Sequence, residues 1–309
     1  MNDDRNNLLK AIEKMNIDYI KLQNSKEYLL GKRLLTIKNL LKHFHFIQIA
    51  KRYIKLKKIN PLLSYQDKDN TEDVYDDFFE IDSDIKNTKI VIYTAIIGNY
   101  DKVQEPYIKE KNVKYVLYTD NRDIQTKNWE VRTIPEKVKK LNNPILINRY
   151  IKMHPKELFP NYNYAFYIDG NVKIVSNITE LIKKVNKKTG LALHRHKARK
   201  CAYDEINTCI LVGKGKKEEL EKTKKIFTIQ NFPRNYGLCE CNLILSDLDN
   251  KNSTFILDKW WDFFINSECY RDQIYFPYVL WKHNYQIDDI GNLGNNIYRN
   301  GKIRIINHI

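Results

Sequence analysis

Residues 166–174, Phe-Tyr-Ile-Asp-Gly-Asn-Val-Lys-Ile, are the stretch that most restricts what this chain can fold into. The apolar run predicts a buried strand that ends at Asp169, and the alternation after it predicts a half-buried strand. Asp169 and Asn171 are two residues apart, so in extended backbone their side chains point to the same side. Gly170 between them lets the backbone bend and lets a bulky ligand approach.

This pair of polar side chains admits two interpretations. Carboxylate and carbonyl oxygens are the ligands that Mg²⁺ and Mn²⁺ favour, so Asp169 and Asn171 can hold a divalent cation that carries a diphosphate. Asp-Gly is also typical of the two-residue turn of a β-hairpin. From these residues alone, both interpretations stay open.

The composition narrows the class of partner. The chain has 309 residues, enough for one large α/β domain with an appendage, and its net charge of +15 suits phosphate-bearing partners. No zinc-finger spacing, RNP-like aromatic motif or helix-turn-helix is recognisable, so we expect no nucleic-acid partner. An anionic membrane surface and a sugar nucleotide remain as the candidate phosphate-bearing partners.

Cysteine usage and hydropathy bear on location. The five cysteines form no disulfide-like framework, which predicts buried free thiols in a reducing cytosol. The sequence has no apolar run of ~18 residues, and its N-terminus does not resemble a signal peptide. We therefore expect a cytoplasmic protein.

The uneven charge divides the chain into three segments. Residues 1–66 carry 14 Lys/Arg against 5 Asp/Glu, a net charge of +9, whereas residues 67–85 carry 9 acids and one lysine, a net charge of −8. We expect a helical appendage at 1–66, an acidic linker at 67–88 and a folded domain at 89–309.

The appendage contains two helical patterns. The first has the 4-3-4-3 spacing of a heptad seam, which predicts either pairing of two chains through residues 8–29 or one helix packed on its own protein. Its apolar positions are Leu8, Ile12, Met15, Tyr19, Leu22 and Leu29. We expect Gly31 to break or bend this helix. Residues 32–58 are basic, amphipathic and aromatic, which favours attachment to an anionic membrane surface over a solvated face on a packed helix.

Residues 89–309 alternate between strand and helix patterns. Strands are predicted at 90–95, 115–120, 166–168, 191–194 and 237–245, and helices at 144–158, 178–187, 216–231, 255–264 and 271–281. Polar residues follow the strands, as in an α/β sheet that binds ligands beyond the carboxyl ends of its strands. The first strand lacks GxGxxG, which disfavours a dinucleotide fold of that type, and the absence of a GxxxxGKS/T motif excludes a P-loop.

Six short motifs resemble a glycosyltransferase family with bacterial and plant Golgi members, formerly described as domain of unknown function 616. They are Tyr-Thr-Ala-Ile-Ile-Gly-Asn-Tyr-Asp at 93–101, Tyr-Thr-Asp at 118–120, Arg-Tyr-Ile-Lys-Met-His-Pro at 149–155, Tyr-Ile-Asp-Gly-Asn at 167–171, Gly-Leu-Cys-Glu-Cys-Asn at 237–242 and Arg-Asp-Gln at 271–273. The resemblance covers residues 89–309 and implies a GT-A-like, Rossmann-like mixed sheet flanked by helices. Residues 1–66 resemble, more loosely, the helical appendages of bacterial surface-polysaccharide glycosyltransferases.

This resemblance implies transfer of a sugar from a nucleotide-sugar donor, in the first place a UDP-sugar, to a cell-surface oligosaccharide or polysaccharide. Mn²⁺ or Mg²⁺ would be held at a DXD-type motif, here Asp169-Gly170-Asn171. Asn171 replaces the second aspartate of that motif, which lowers the charge on the metal but keeps a ligand oxygen. The alternative is a catalytically inactive protein on the same fold that binds a sugar nucleotide or a glycan. A lipid-linked acceptor would place the enzyme at the inner face of the cell membrane.

The candidate third metal ligand is His308, because several GT-A enzymes take a ligand from a histidine near the C-terminus. His194 and His196 are the other candidates for this ligand. The structural alternative for His308 is that it lies in a frayed chain end and binds nothing. The residues expected at the donor are Thr94, Ala95, Asn99, Asp101, Asp120, Arg149, Lys152 and Asp169. For Arg149 and Lys152 a solvated helix face is the alternative. The residues expected at the acceptor are Tyr203, Glu205, Arg271 and Gln273.

Two acids are candidates for taking the proton of the acceptor hydroxyl, Asp272 and Glu240. Asp272 has a structural alternative as the N-cap of the helix that it opens. Glu240 has one as a buried acid paired with Arg149 or Arg271.

Overall fold

The computed structural model describes residues 2–32 and 88–308, which belong to two compact units, Met1–Val74 and Tyr75–Ile309. In the first unit, helix α1 spans Asn2–Asn24 and a second helical segment occupies residues 26–32. The predicted break at Gly31 is wrong, because the chain bends at Ser25 and residue 31 is helical. The basic segment 32–58 and the acidic linker 67–88 lie, apart from residues 32 and 88, outside the described residues.

Helix α1 has two apolar stripes. Leu9, Ile17 and Ile20 are buried, whereas the predicted heptad positions Leu8 and Met15 are 62% and 70% exposed. The heptad seam is therefore not the stripe that this helix buries within its own chain.

The second unit is built on one seven-stranded sheet. Its strands are β1 (Ile90–Ile96), β2 (Val113–Thr119), β3 (Glu130–Thr133), β4 (Tyr164–Ile168), β6 (Leu191–Arg195), β7 (Cys239–Asp247) and β8 (Gly291–Asn292). The strand order is β3-β2-β1-β4-β7-β6-β8, and β7 alone runs antiparallel to its neighbours. The expected α/β mixed sheet flanked by helices is confirmed, as is the N-terminal helix.

Both faces of the sheet are covered. All seven residues of β1 are buried, as expected for a central strand with apolar layers on both sides. One layer includes Tyr93 and Tyr167, and the other includes Ile92 and Phe166, so neighbouring residues of a strand enter opposite layers. This alternation leaves the strand ends as the places where polar groups can gather.

Seven α-helices are described in the second unit. They are α2 (Glu136–Lys139), α3 (Pro144–Met153), α4 (Pro155–Leu158), α5 (Ala202–Val212), α6 (Lys217–Ile229), α7 (Lys251–Ile265) and α8 (Asp272–Lys282). Helix α3 begins where it does because the Asn143 side chain accepts hydrogen bonds from the backbone of Ile145 and Leu146. The predicted helix 144–158 is thus two helices, and the predicted helix 178–187 is a shorter 3₁₀ helix, Thr179–Lys184.

A small second sheet rules out the β-hairpin interpretation of Asp169-Gly170-Asn171. Strand β5 (Val172–Ile174) pairs antiparallel with β9 (Ile303–Ile305), near the end of the chain, and not with β4. The predicted half-buried strand is present, but the β-hairpin is wrong. Residues 169–171 are instead a connection between two sheets, at the edge where β1, β2 and β4 end.

None of the described helices is long and apolar enough to cross a lipid bilayer. The five cysteines are free and buried, as predicted.

Candidate active site at the carboxyl edge of the sheet

The Asp169 carboxylate is held but partly open. Its backbone N–H donates to the Asn242 carbonyl at 2.8 Å, and the Asn242 amide donates to Asp169 Oδ2 at 2.9 Å. The Lys152 ammonium lies 3.8 Å from Oδ1, and the Asp169 side chain is 24% exposed. Asn242 reaches this position because β7 lies beside β4 in the sheet. The result is an oriented carboxylate with one oxygen left for a ligand.

Asn171 is fixed by the strand pairing around it. Its side-chain amide donates to the Ile306 carbonyl at 2.9 Å, and its own carbonyl accepts from the Ile306 N–H at 2.8 Å. Its side-chain oxygen Oδ1 is buried and has no hydrogen-bond partner among the described residues. A buried amide oxygen without a partner costs free energy unless a ligand satisfies it.

His308 is not frayed. Its Nδ1 lies 2.9 Å from Asp101 Oδ1, its Nε2 lies 3.5 Å from the Asn171 amide nitrogen, and its ring packs against Tyr100. The loop of residues 98–101 after β1 therefore meets the C-terminal segment beside Asn171.

These residues fit a hard divalent cation. Within 2–32 and 88–308, no three His, Cys, Asp or Glu side chains form a metal cluster by themselves. An Asp169 oxygen, the unsatisfied Asn171 oxygen and the His308 nitrogen nevertheless offer one carboxylate, one amide and one imidazole at a single edge. Carboxylate and amide oxygens are hard ligands, and imidazole is compatible with Mn²⁺.

Two cations and Asp272 form a buried ionic cluster behind Asp169. Lys152 Nζ donates to Asp272 Oδ2 at 2.7 Å, and Arg149 Nε forms an ion pair with the same oxygen at 2.9 Å. Burial alone would raise the pKa of Asp272, but Arg149 and Lys152 hold it well below its usual range. The Lys152 side chain is 1% exposed, so the alternative of a solvated helix face is wrong for this residue. Asp272 is the first residue of α8 and does not cap it, because the N-cap position is Arg271.

Glu240 lies in a different environment. Gln273 donates to its Oε2 at 3.1 Å, and His196 Nε2 lies 3.5 Å from its Oε1, whereas no close ion pair with Arg149 or Arg271 forms. Burial, and then the nearby Glu205, raise the pKa of Glu240. Glu240 lies two residues before Asn242 on β7, in the part of the strand where the pairing with β6 shifts register.

The rival histidines are engaged in structural contacts. His196 Nδ1 accepts from the backbone N–H groups of Ala198 and Arg199, which braces the loop after β6. His194 is fully buried, and its Nε2 lies 2.8 Å from the Asn300 amide. Burial lowers the pKa of each imidazole to about 3. Near physiological pH, both imidazoles are therefore neutral and make structural hydrogen bonds.

The other donor candidates line the ends of β1 and β2. Asp120 accepts from the Gly98 N–H, at 3.0 Å to Oδ1, and so ties the loop after β1 to β2. Asn99 accepts from the Asn121 amide at 2.8 Å. Thr94 and Ala95 are buried within β1, and the Ala95 carbonyl accepts from the Asn148 amide. Asp120 and Asn99 shape the loop that carries Asp101.

The acceptor candidates divide into two groups. Gln273 holds Glu240, and Glu205 pairs with Arg199 at 2.5 Å and lies 3.9 Å from Arg271. Tyr203 is buried and donates to the Phe232 carbonyl at 2.7 Å, away from this group. The structure thus brings three of the four predicted acceptor residues together around Glu240.

Tyr298 lies near Glu240 and Asp169 and was not among the residues predicted from the sequence. It lies in a 3₁₀ helix, Ile297–Arg299, that is anchored by the buried Ile297. Its ring is 39% exposed, and Lys197 Nζ lies 4.1 Å from the ring centroid. Burial, with Glu240 and Asp169 nearby, raises the pKa of the phenol. No sequence pattern identified it, because it reaches the site through a long connection.

One family model matches most of the chain. The family model of the TOD1/MUCI70 glycosyltransferase-like domain matches residues 69–306. No curated protein sequence matches the chain.

Similar solved structures include three glycosyltransferases. The bifunctional glycosyltransferase WbbM in its apo form has a TM-score of 0.42 and 9% identity, over 70% of this chain and 40% of that one. Apo mouse xyloside xylosyltransferase 1 has a TM-score of 0.37 and 9% identity, over 64% of this chain and 83% of that one. The galactosyltransferase LgtC, in complex with donor and acceptor sugar analogs, has a TM-score of 0.38 and 11% identity, over 62% of this chain and 70% of that one. The chain spans less than half of the WbbM chain, and at these scores the likenesses support no argument about activity.

Proposed function

Because the chain belongs to the TOD1/MUCI70 glycosyltransferase-like family, we propose that it transfers a sugar from a nucleotide sugar, in the first place a UDP-sugar, to a hydroxyl of a glycan acceptor. The observation that carries this proposal is the partly open Asp169 carboxylate, oriented by Asn242 and Lys152 beside the unsatisfied Asn171 oxygen. This arrangement suits a cation-bound diphosphate at the carboxyl edge of the sheet.

In the proposed reaction, the bond between the anomeric carbon and the diphosphate oxygen breaks, and a bond from that carbon to the acceptor oxygen forms. Asp169, Asn171 and His308 would hold Mn²⁺ or Mg²⁺, which when bound neutralises charge on the departing diphosphate. Lys152 and Arg149 hold Asp272 in place, and the Lys152 ammonium also lies 3.8 Å from Asp169 Oδ1. The diphosphate leaves with the bonding electron pair.

Glu240 is the proposed acceptor of the hydroxyl proton. Its raised pKa lies closer to neutrality than that of an exposed glutamate, which favours proton transfer in the transition state. Asp272 is the weaker candidate, because its two cations lower its basicity. The acceptor sugar would lie between Glu240 and the Tyr298 ring, with a cell-surface, lipid-linked glycan as the proposed class of acceptor.

A thermal-shift panel of UDP-, GDP-, CMP- and dTDP-sugars, with and without Mn²⁺, tests the donor. A ligand that binds only the folded state raises the unfolding midpoint, so we expect a Mn²⁺-dependent rise with one nucleotide class. Asp169→Asn should abolish the rise, and Asp123→Ala, which removes an exposed loop carboxylate, should keep it. The absence of a metal-dependent shift with every nucleotide would contradict metal-dependent binding of a nucleotide sugar.

The second candidate function is binding without transfer, and the observation that favours it is Asn171 in place of a second carboxylate. A protein that shows the thermal shift but neither transfers the sugar nor hydrolyses the donor would have this function.

A further inference from the structure

We infer that Asp101 is a positioning residue that holds the His308 imidazole with the Nε2 lone pair directed to the Asn171 side, where the divalent cation would bind. The inference rests on the proposed function, because the cation is the one that would carry the donor diphosphate. Asp101 acts through His308 and does not itself bind the metal.

The hydrogen bond fixes where the imidazole proton lies. His308 Nδ1 is 2.9 Å from Asp101 Oδ1. An ionised carboxylate only accepts hydrogen bonds, so Nδ1 carries the proton, and in the neutral ring Nε2 is left with its lone pair. That nitrogen lies on the Asn171 side of the ring, where it accepts from the Asn171 amide at 3.5 Å, a contact that a bound cation would replace.

Asp101 is much more buried than His308, which a simple surface ion pair would not require. The Asp101 side chain is 9% exposed, whereas the His308 side chain is 51% exposed. The carboxylate is thus a fixed point, and the imidazole is open to solvent on the side that a ligand would approach. The Tyr100 ring, 5.1 Å from the His308 ring between centroids, limits its rotation.

Gly170 explains how Asp101 comes so close to the predicted metal motif. A Cβ built on Gly170 would lie 3.3 Å from Asp101 Oδ2 and 3.0 Å from Ile96 Cγ1. A side chain at position 170 would therefore press on the carboxylate that holds His308. The same glycine brings Asp101 beside Asp169 and Asn171.

A carboxylate behind a metal-bound histidine is an established way to fix the tautomer and raise ligand basicity, and its loss typically weakens metal affinity by ~10–100-fold. We expect Asp101→Ala to weaken Mn²⁺ binding by about that factor, measured by EPR titration with MnCl₂ in the presence of UDP. His308→Ala should weaken it as well. In the His308→Ala background, Asp101→Ala should cause no further loss, since it acts only through the ring.

Additive losses in the double variant, or unchanged affinity in Asp101→Ala, overturn the inference. Asp123→Ala is the matched control for removing a carboxylate, and circular dichroism checks that each variant is folded. Asp101→Asn, which keeps an accepting oxygen, is expected to bind Mn²⁺ more tightly than Asp101→Ala. A wild-type protein that binds UDP but no Mn²⁺ also overturns the inference. That result would leave the proposed sugar transfer intact as a reaction that needs no metal.

A second readout needs neither metal nor donor. In ¹⁵N-histidine-labelled protein above pH 7, we expect the His308 resonances to show a protonated Nδ1 and a bare Nε2, assigned by their loss in His308→Gln. Asp101→Ala should shift the population toward protonated Nε2. A protonated Nε2 in the wild-type protein overturns the inference.

Discussion

Two carboxylates at one sheet edge, Asp272 and Glu240, have opposite surroundings. Asp272 touches Lys152 and Arg149, and its pKa is held low, whereas Glu240 touches an amide and a neutral imidazole, and its pKa is raised. One acid is therefore suited to organise charge and the other to exchange a proton.

We expect Asp272→Asn to lower the free energy of unfolding by ~3–5 kcal/mol at pH 7, because two buried cations lose their counter-ion. The pKa of Asp272 is lower in the folded state than in the unfolded state, so its carboxylate stabilises the fold above the unfolded value of about 3.9 and less as pH falls below it. The difference between variant and wild type should therefore shrink in acid. Urea unfolding at pH 7 and pH 3 measures this, and a constant difference would contradict it.

For Glu240, the prediction concerns the acid limb of the transfer rate. The carboxylate must be ionised to take a proton, so the rate should fall as pH drops through its raised pKa. Glu205→Gln removes a negative neighbour, lowers the pKa of Glu240 and should move the acid limb to lower pH. Glu240→Gln should lower the rate ~10²–10⁴-fold with UDP-sugar binding kept. A limb that stays in place in Glu205→Gln would assign it to another group.

At the scale of elements, helix α1 presents its heptad seam to solvent. We expect this seam to pair two chains. Met15→Glu combined with Leu22→Glu should shift the chain from dimer to monomer in sedimentation-velocity experiments, because charges at two positions of the seam disfavour pairing. Lys14→Glu, an exposed position off the seam, is the control. A wild-type chain that is monomeric at every concentration would show that the seam does not associate.

The strands of the sheet were predictable from local sequence, and the partners of the site were not. Apolar runs predicted β1, β2, β4 and β6, because strands buried on both faces are continuously apolar. The role of Asn242 depends on β7 lying between β4 and β6, which is a long-range pairing. Asp101 and His308 are separated by 207 positions, and no local periodicity reports that contact. The residue pattern at the end of β4 singled out Asp169 and Asn171, and the family match confirms the resemblance.

At the scale of the whole molecule, attachment to the membrane remains our proposal. Residues 32–58 carry the basic and aromatic residues on which it rests, and each Lys or Arg near an anionic surface contributes ~1 kcal/mol. The full chain should float with anionic liposomes at low salt, and a chain starting at Lys86 should not. Pairing through residues 8–29 would double the number of anchors. Equal flotation of the two chains would place the contact elsewhere.

The pairing of β5 with β9 also bears on the order in which the molecule folds. Residues 172–174 must wait for residues 303–305 before that ladder can form, and closing so long a loop is slow compared with local contacts. Synthesis proceeds from the N-terminus, so most of the large sheet can assemble on the ribosome before the residues around His308 emerge. Most of the large sheet of a nascent chain would therefore form before the candidate site is complete.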